Sequence, residues 1–504
     1  MSTNYTPAQL ASMTVAQLNA LTASQFSTFT SAQTRALTVA QISGLKTANF
    51  DALNIAYLTK AQIGGINAAE MASVSVANFD KYLAPNLASL RVGGISGITV
   101  AQLASMTPAQ MTALTSTEIA AMNSASGAFA KGYIAIMKDV AAHLSGGALS
   151  FAGAQAILQD AASGGMSAGK LAALQAVAHE LNATSGVTIG TTAQIQQLFD
   201  DVVLGNAANA HWNGGAATST TLGNLSATST AMQLNELVGK WFLGSDDPSV
   251  AGMGYGDTYK ATSGNLFSAA GPVYTDVNQG TDGDCYFDAA LAETAYQDPS
   301  LIRNMITVNS NGTYTVDFHL NGKNDYVTVN SDLAYMQGGY QMADGSTLAF
   351  NNGGASGSMW AAVVEKAYVE FRSQTDGVNS YANISGGWDN GLSAITGQAV
   401  QDYYTSGDTA SQLGSMLVTF SNALSAHQDI MMNTNGDDPA LNLVGDHMYS
   451  VLAVNAAAGT VTLDNPWNAD GQGSGLKMVV ADSIVSLAQQ GVTFHVAMGA
   501  PALA

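Results

Sequence analysis

A single cysteine, Cys285, stands in a chain of 504 residues, so no internal disulfide can form and the stapled small secreted domain is excluded. Basic residues are scarce too, with 15 Lys plus Arg against 36 Asp plus Glu, a net charge of −21. So acidic a surface repels phosphates and offers nothing to anionic lipid, which argues against nucleic acid and membrane as partners. Long apolar runs of roughly 18 residues are missing. The start, MSTNYTPAQL, lacks a basic stretch followed by an apolar core. The expectation is a soluble protein that stays in the cytoplasm or leaves by a route needing no N-terminal signal. Charged residues make up only 10% and apolar ones 47%. A disordered chain would reverse that balance, so this one folds, and its length calls for two or three domains.

What is present begins with a period of eight. From Thr6 the octads read TPAQLASM, TVAQLNAL, TASQFSTF, TSAQTRAL, TVAQISGL and KTANFDAL, and after the insertion NIAYL eight more run from Thr59 to Met122. Position eight is always apolar, and position five in all but one, where Thr34 intrudes. Thr or Ser at position one with Gln, Asn or Glu at position four is a capping box, a start signal carried by each octad. Eight residues exceed two helical turns by about 0.8 residue, so in one continuous helix the apolar stripe would rotate by about 80° per unit. Short helical turns stacked into a solenoid avoid this. Residues 1–124 therefore read as an all-α spacer or docking surface without a catalytic cluster.

Residues 125–245 read as a helical domain, from segments such as FAGAQAILQDAA and AGKLAALQAVAHELN with helical spacing. His143, His179 and His211 lack a second ligand at helical spacing and read as structural or surface residues. NGGAATSTTLGNLSATST (213–230) reads as a flexible connection, and residues 246–264 as a linker to the last domain, 265–504.

There the segment QGTDGDCYFDAALAE places Cys285 after the Gly283-Asp284 pair and at the start of a helical pattern. In a first helical turn, free N–H groups and the dipole favour a thiolate. His319 and His495 lie in alternating strand patterns without polar company, and His427 in a helix-like run. His447 opens DHMYSVLAV, which alternates as a half-buried strand; AAAG turns, and TVTLDNPW returns. That hairpin brings Asn465 opposite the start of the first strand, where its amide oxygen can accept the imidazole N–H and set the tautomer. Gln279 can join the Cys285 backbone N–H as an oxyanion donor. Singly, a lone cysteine or histidine is more often structural. Cys, His and Asn in this order, with fitting flanks, point to papain-like thiol catalysis.

The flanks name a family. QGTDGDCYFDAALAE resembles the nucleophile segment of the calpain-type papain-like cysteine peptidases, DHMYSV their histidine strand and DNPW their Asn-Pro-Trp; MWAAVVEKAYVEF and ISGGWDNGLSAITGQ are similar to their inter-lobe region. The resemblance covers about residues 265–500. It implies an α+β, two-lobe peptidase domain with Cys285 as nucleophile, His447 as general base and then acid, Asn465 as orienting residue, Gln279 as oxyanion donor and Trp467 as cover for the Asn465–His447 bond. Departures from the family pattern are Tyr286 for Trp, Asp446 for Gly, and Asp464 and Asn468 around Asn-Pro-Trp. Asp446 is expected to favour the protonated imidazole. Calcium is the family's usual regulator; no EF-hand loop occurs, so no cofactor is required and the loops GTDGD and NTNGDD stand as calcium candidates. The acidic, cysteine-poor, Gly- and Thr-rich chain also looks like bacterial type I secretion substrates. The resulting expectation is a secreted cysteine endopeptidase acting on proteins or peptides through an acyl-thioester. The other readings are a repeat-built surface or adhesive protein whose peptidase-like domain binds peptides or only processes itself, and an acyltransferase of the same fold.

Overall fold

The computed structural model describes residues 5–183, 189–254, 256–337, 348–352, 356–387, 391–467 and 477–499. The chain divides into two compact units, Met1–Thr191 with Leu225–Met232, and Thr192–Asn224 with Gln233–Ala504.

The first unit opens with many short helices, from Pro7–Ser12 to Ser116–Ala121. Most begin where the sequence supplies a cap. Thr6 accepts the Gln9 N–H while the Gln9 side chain returns to the Thr6 N–H, and the same reciprocal box forms at Thr14/Gln17, Thr30/Gln33, Thr59/Gln62 and Thr99/Gln102. Where the octad starts with Lys46 there is no side-chain cap, and Asn19 Oδ1 accepts the Lys46 N–H at 2.8 Å instead.

The capping glutamine has a second task. Gln41 Nε2 donates to Leu10 O at 2.9 Å and Met13 O at 2.7 Å, Gln62 Nε2 to Thr34 O at 2.8 Å and Leu37 O at 2.7 Å, and Gln102 Nε2 to Met71 O at 2.9 Å and Val74 O at 2.8 Å. The last carbonyls of a helix have no partner within it. Here an amide three octads or so downstream supplies one. Accordingly Pro7–Ser12 packs on Ser31–Ala36, and Ala23–Phe26 on Thr47–Asp51. Leu10, Leu18 and Phe26 at position five are fully buried, and so is Thr34, the exception in the pattern.

Three longer helices follow: α1 (Ser124–His143), α2 (Phe151–Ala162) and α3 (Ala168–Leu181), capped by Asn123, Ser150 and Ser167. Phe129, Tyr133, Ile136 and Val140 of α1 are buried, with Ile157 and Leu158 of α2 and Leu174 and Val177 of α3. The fourth expected helix, α4 (Ala193–Val203), falls in the second unit, so the division does not follow the expected boundary at 245.

The second unit contains three further helices that matter here, α5 (Cys285–Gln297), α6 (Trp360–Asp376) and α7 (Ala410–Ser425). Its strands are β1 (Thr258–Ala261), β2 (Ile306–Val308), β3 (Tyr314–Leu320), β4 (Lys323–Val329), β5 (Asp332–Tyr335), β6 (Ala399–Tyr404), β7 (Ile430–Asn433), β8 (Met448–Asn455), β9 (Thr460–Asp464), β10 (Val479–Ser483) and β11 (Thr493–Met498). An antiparallel six-stranded sheet has the order β6-β11-β7-β8-β9-β10. Strand alternation gives it two apolar faces. Met431 and Met448 join a core with Phe287 and Leu291 of α5, Phe318 of β3 and Tyr368 of α6. Ile430, Met432, Tyr449 and Val451 join the other, with Leu413, Leu417 and Phe420 of α7. The expected mixture of helix and sheet is therefore present in the C-terminal half.

Two expectations need correction. The stretch 213–230 is not a free connection: Thr220–Thr221 pairs with His211–Trp212, and the Asn213 and Gly214 N–H groups donate to Asp246 Oδ1 at 2.6 and 2.7 Å. Nor is 246–264 a linker. Asp246 and Ser249 are buried, β1 pairs with β5, and Lys240 bridges Asp246 to Glu370 of α6 while Lys366 binds Asp247. A polar, Gly-rich composition suggested solvent; buried ion pairs supplied the anchor that composition does not show. Among the described residues no helix is long and apolar enough to cross a membrane.

Candidate active site

The loop before α5 owes its path to two glycines. A Cβ on Gly280 would lie 2.4 Å from Ala349 O, so that position tolerates only hydrogen, while one on Gly283 would press on Ser385 Oγ at 2.9 Å, a side chain that can turn away. Asp284 then caps the helix through its backbone, its carbonyl accepting the Phe287 N–H at 2.7 Å, and Cys285 occupies the first helical position. The thiol is 8% exposed.

Opposite it, β8 and β9 form the expected hairpin, turned through Gly459 at φ +73°. The register pairs Ser450 with Asp464, so Asn465 lies one step beyond the ladder, on the His447 side. His447 Nε2 and Asn465 Oδ1 are 2.9 Å apart, both residues being buried. That same oxygen accepts the Trp467 N–H at 3.0 Å, which identifies it as the carbonyl oxygen of the amide. Nε2 must therefore carry the hydrogen, leaving Nδ1 as the basic nitrogen. The Trp467 ring lies 4.8 Å from the imidazole, and the Tyr449 ring stands edge-on at 5.1 Å. Thr434 braces the backbone, taking the His447 N–H at 3.1 Å and giving its own N–H to His447 O at 2.9 Å.

The two halves meet through the main chain. The Cys285 sulfur lies against the Met448 backbone N–H, one residue from the imidazole, and Ser450 Oγ donates to Ala289 O of α5 at 2.8 Å. Among the described residues, no hydrogen bond joins the sulfur to His447 itself. Burial pushes the thiol up to about 12, against the Met448 N–H and with the help of Asp284 and Asp288. Burial likewise pushes His447 down to about 4, opposed by the Asn465 bond. Thiol and imidazole are thus both neutral at pH 7 in this arrangement, not a standing ion pair. Asp446 does not have its expected effect on the ring: its side chain is exposed, and burial sets the direction of the shift.

Gln279 is buried at 2% exposure. Its backbone N–H binds Pro466 O at 2.8 Å, tying the loop to the Asn-Pro-Trp turn. Its side-chain amide donates to Asp282 O at 2.7 Å and toward Asp284 Oδ1 at 3.4 Å, so it is committed within its own loop. The other histidines stand apart. His427 bonds Gln297 O, and His143 sits beside Asp139. His495, expected without polar company, contacts Asp402 at 2.8 Å and Asn433 at 3.1 Å.

The sequence did not bring together a set of acids beside Cys285. Asp282, Asp284, Asp288 and Glu365 are all buried. Burial and their mutual repulsion push Asp282 up to about 8 and hold Asp284 and Glu365 well above the usual carboxylate range. GTDGD and EKAYVEF were each conspicuous, but nothing in the spacing of segments some 80 residues apart said that they meet. Residue 388 to 390 of the GGWDN stretch and Asn468 lie outside the described residues.

Residues 259–474 match the family model described as calpain family cysteine protease, so this stretch is a calpain-family cysteine protease domain and implies cysteine peptidase activity on protein substrates. Comparison of the chain with curated proteins gives no match.

Proposed function

We propose that the chain is a papain-like, two-lobe endopeptidase in which Cys285 is the nucleophile, His447 the general base and then acid, and Asn465 the residue that orients the ring. The observation that carries this reading is the 2.9 Å His447 Nε2 to Asn465 Oδ1 bond on a hairpin laid against the first turn of α5. The thiol proton passes to His447 Nδ1 as sulfur bonds to the peptide carbonyl carbon. The tetrahedral oxyanion is held by the Cys285 N–H and by the Gln279 amide, once that amide turns from Asp282 O. His447 then protonates the leaving nitrogen, the C–N bond breaks, and an acyl-thioester remains. Water attacks it while giving a proton to His447, and the proton returns to sulfur as the acid product leaves. Gly283 and Asp284 shape the loop that presents the sulfur, and Trp467 shields the His447–Asn465 bond from water.

The octads serve in this reading as a solenoid stalk or docking surface for a cell surface or a second copy. Repeated capping boxes and the glutamine bonds between distant octads support it. Cysteine poverty and the net charge of −21 support export from a bacterial cell. A second reading has one observation in its favour: among the described residues no hydrogen bond joins the Cys285 sulfur to the imidazole, and burial pushes the thiol up to about 12. In that reading the domain binds peptides, or cuts only its own chain.

A peptidyl-epoxide probe separates the two. Labelling of the parent much faster than a small free thiol, abolished by Cys285→Ser, is expected for the enzyme. Labelling no faster than a free thiol, with no cleavage of a peptide library, refutes it.

A further inference from the structure

We infer that the Tyr286 hydroxyl is a positioning group for the reaction: through Ile384 and the turn after it, the hydroxyl holds the Cys285 backbone N–H in line for the oxyanion. The inference rests on the peptidase reading above. Tyr286 follows the nucleophile directly, is 1% exposed, and stands where the family pattern has Trp.

Successive helical residues point about 100° apart, so Tyr286 turns to a different side of α5 from the thiol. Its Oη donates to Ile384 O at 3.2 Å. Ile384 ends the short helix Tyr381–Ile384, and the last carbonyls of a helix find no partner within it. The phenol supplies one. The contact has no slack, because a Cβ on Gly387 would lie 3.1 Å from Tyr286 Cε1 and 3.2 Å from its Cζ and Oη. The chain after Ile384 therefore rides directly on the tyrosine ring.

From there it turns back to the loop before the nucleophile. Gly386, at φ +70°, gives its N–H to Gly283 O at 2.9 Å. Ser385 Oγ takes the Gly283 N–H at 3.2 Å, a donor shared with Asp282 Oδ1 at 2.7 Å. The path closes on itself: Gly283 to Tyr286 along the chain, across to Ile384, on to Gly386, and back to Gly283. Cys285 lies inside this ring. Its N–H belongs to the rigid peptide plane shared with Asp284, so its direction is set by the residues on both sides. Gly283 is fastened on one side and Tyr286 on the other. The first N–H groups of a helix have no partner inside it, so this turn is the part of α5 that its own ladder holds least.

An oxyanion exists only during the reaction, so a donor aimed at it changes kcat and leaves substrate binding alone. Alkylation of the thiol by iodoacetamide forms no oxyanion. Comparing the two reactions separates alignment of the N–H from general looseness of the site.

The test is Tyr286→Phe in the full-length chain, which keeps the ring and removes one oxygen. Measured are kcat and KM on a fluorogenic peptide, the rate of Cys285 alkylation by iodoacetamide, and the melting temperature. Expected is a fall in kcat of roughly 5- to 100-fold, the range for a reacting group displaced by up to about 1 Å, with KM and the alkylation rate within about twofold of the parent. A kcat within twofold of the parent overturns the inference. A parallel fall in kcat and alkylation, or a variant that does not fold, overturns it too, since the hydroxyl then serves the fold alone. A parent that cleaves no peptide refutes the peptidase reading and this inference with it, whereas an active parent that Tyr286→Phe leaves unchanged refutes this inference only.

Discussion

Replacing Asn465 by alanine tests the central bond, and it has two readouts that move separately. The change leaves the His447 Nε2–H buried at 3% exposure with its acceptor gone. An unsatisfied buried donor costs about 1 to 3 kcal/mol. If that cost falls on the reacting state, where the ring must hold one tautomer and one orientation, kcat/KM falls by roughly 5- to 150-fold at about tenfold per 1.4 kcal/mol. The second readout is the acid limb of the pH profile. Burial holds His447 near 4, and the Asn465 bond is the influence that raises it. Removing that bond pushes the imidazole further down, so the limb must move to lower pH while the plateau drops. A loss through general loosening would admit water and move the limb upward, toward the ordinary histidine value of about 6.5. The assay is kcat/KM on a fluorogenic peptide from pH 3 to 8. A variant within twofold of the parent, or a limb displaced upward, refutes the assignment of Asn465 as the orienting residue.

Asp446 holds φ at +51°, a left-handed conformation that glycine adopts freely. Asp446→Gly should therefore stabilise the fold by up to about 1 kcal/mol, the relief exceeding the entropy lost with the side chain, as read by urea unfolding. In the octads, Gln62→Ala removes a 2%-exposed amide that caps its own helix and bonds Thr34 O and Leu37 O, for an expected loss of about 2 to 4 kcal/mol. Gln9→Ala, where only the exposed cap is lost, should cost about 0.5 to 1 kcal/mol, and equal losses would deny that the glutamines join distant octads. Asp429, just before β7, accepts from Thr294 Oγ1 of α5 at 2.8 Å, and burial pushes it up to about 7. A raised carboxyl is protonated in the fold. Its contribution is complete below the unfolded value near 4 and lost as pH rises through about 7. Roughly 2 kcal/mol should disappear between pH 5 and 7, and Asp429→Asn should remove that slope from melting temperature against pH. An unchanged slope would contradict the assignment.

Much of this site was legible because its information is local. Cys285 opens a helix where a Gly-Asp pair ends a loop, and a reader needs only about ten residues to see it. His447 and Asn465 are 18 residues apart, and the alternation of β8, the AAAG turn and the return of β9 fix their meeting through strand register. Capping boxes are equally local, so the many short helices of the N-terminal half followed from positions one, four, five and eight of each octad. The reading failed where composition stood in for contacts. Residues 213–230 and 246–264 are Gly-, Ser- and Thr-rich, yet Asp246 gathers two backbone N–H groups and Lys240, and that geometry is written nowhere in the local pattern.

The same distinction explains why Gln279 was assigned a free hand. Its spacing to Cys285 places it in the loop before the helix, but a side-chain amide has several rotamers, and which acceptor wins depends on what folds nearby. Here Asp282 O and Asp284 lie closer than any oxyanion can in the absence of substrate, and Asp284 is itself an acid that Glu365 crowds from α6. Neutralising that crowd weakens the pull of Asp284 on the Gln279 amide and removes two of the influences that hold the thiol proton in place. The buried acids and the Gln279 amide are therefore one electrostatic system, joined through a loop of seven residues from Gln279 to Cys285. A change at Asp282 should consequently be felt at Gln279 before it is felt at His447, whose surroundings come from the other side of the site, out of β8, β9 and Thr434.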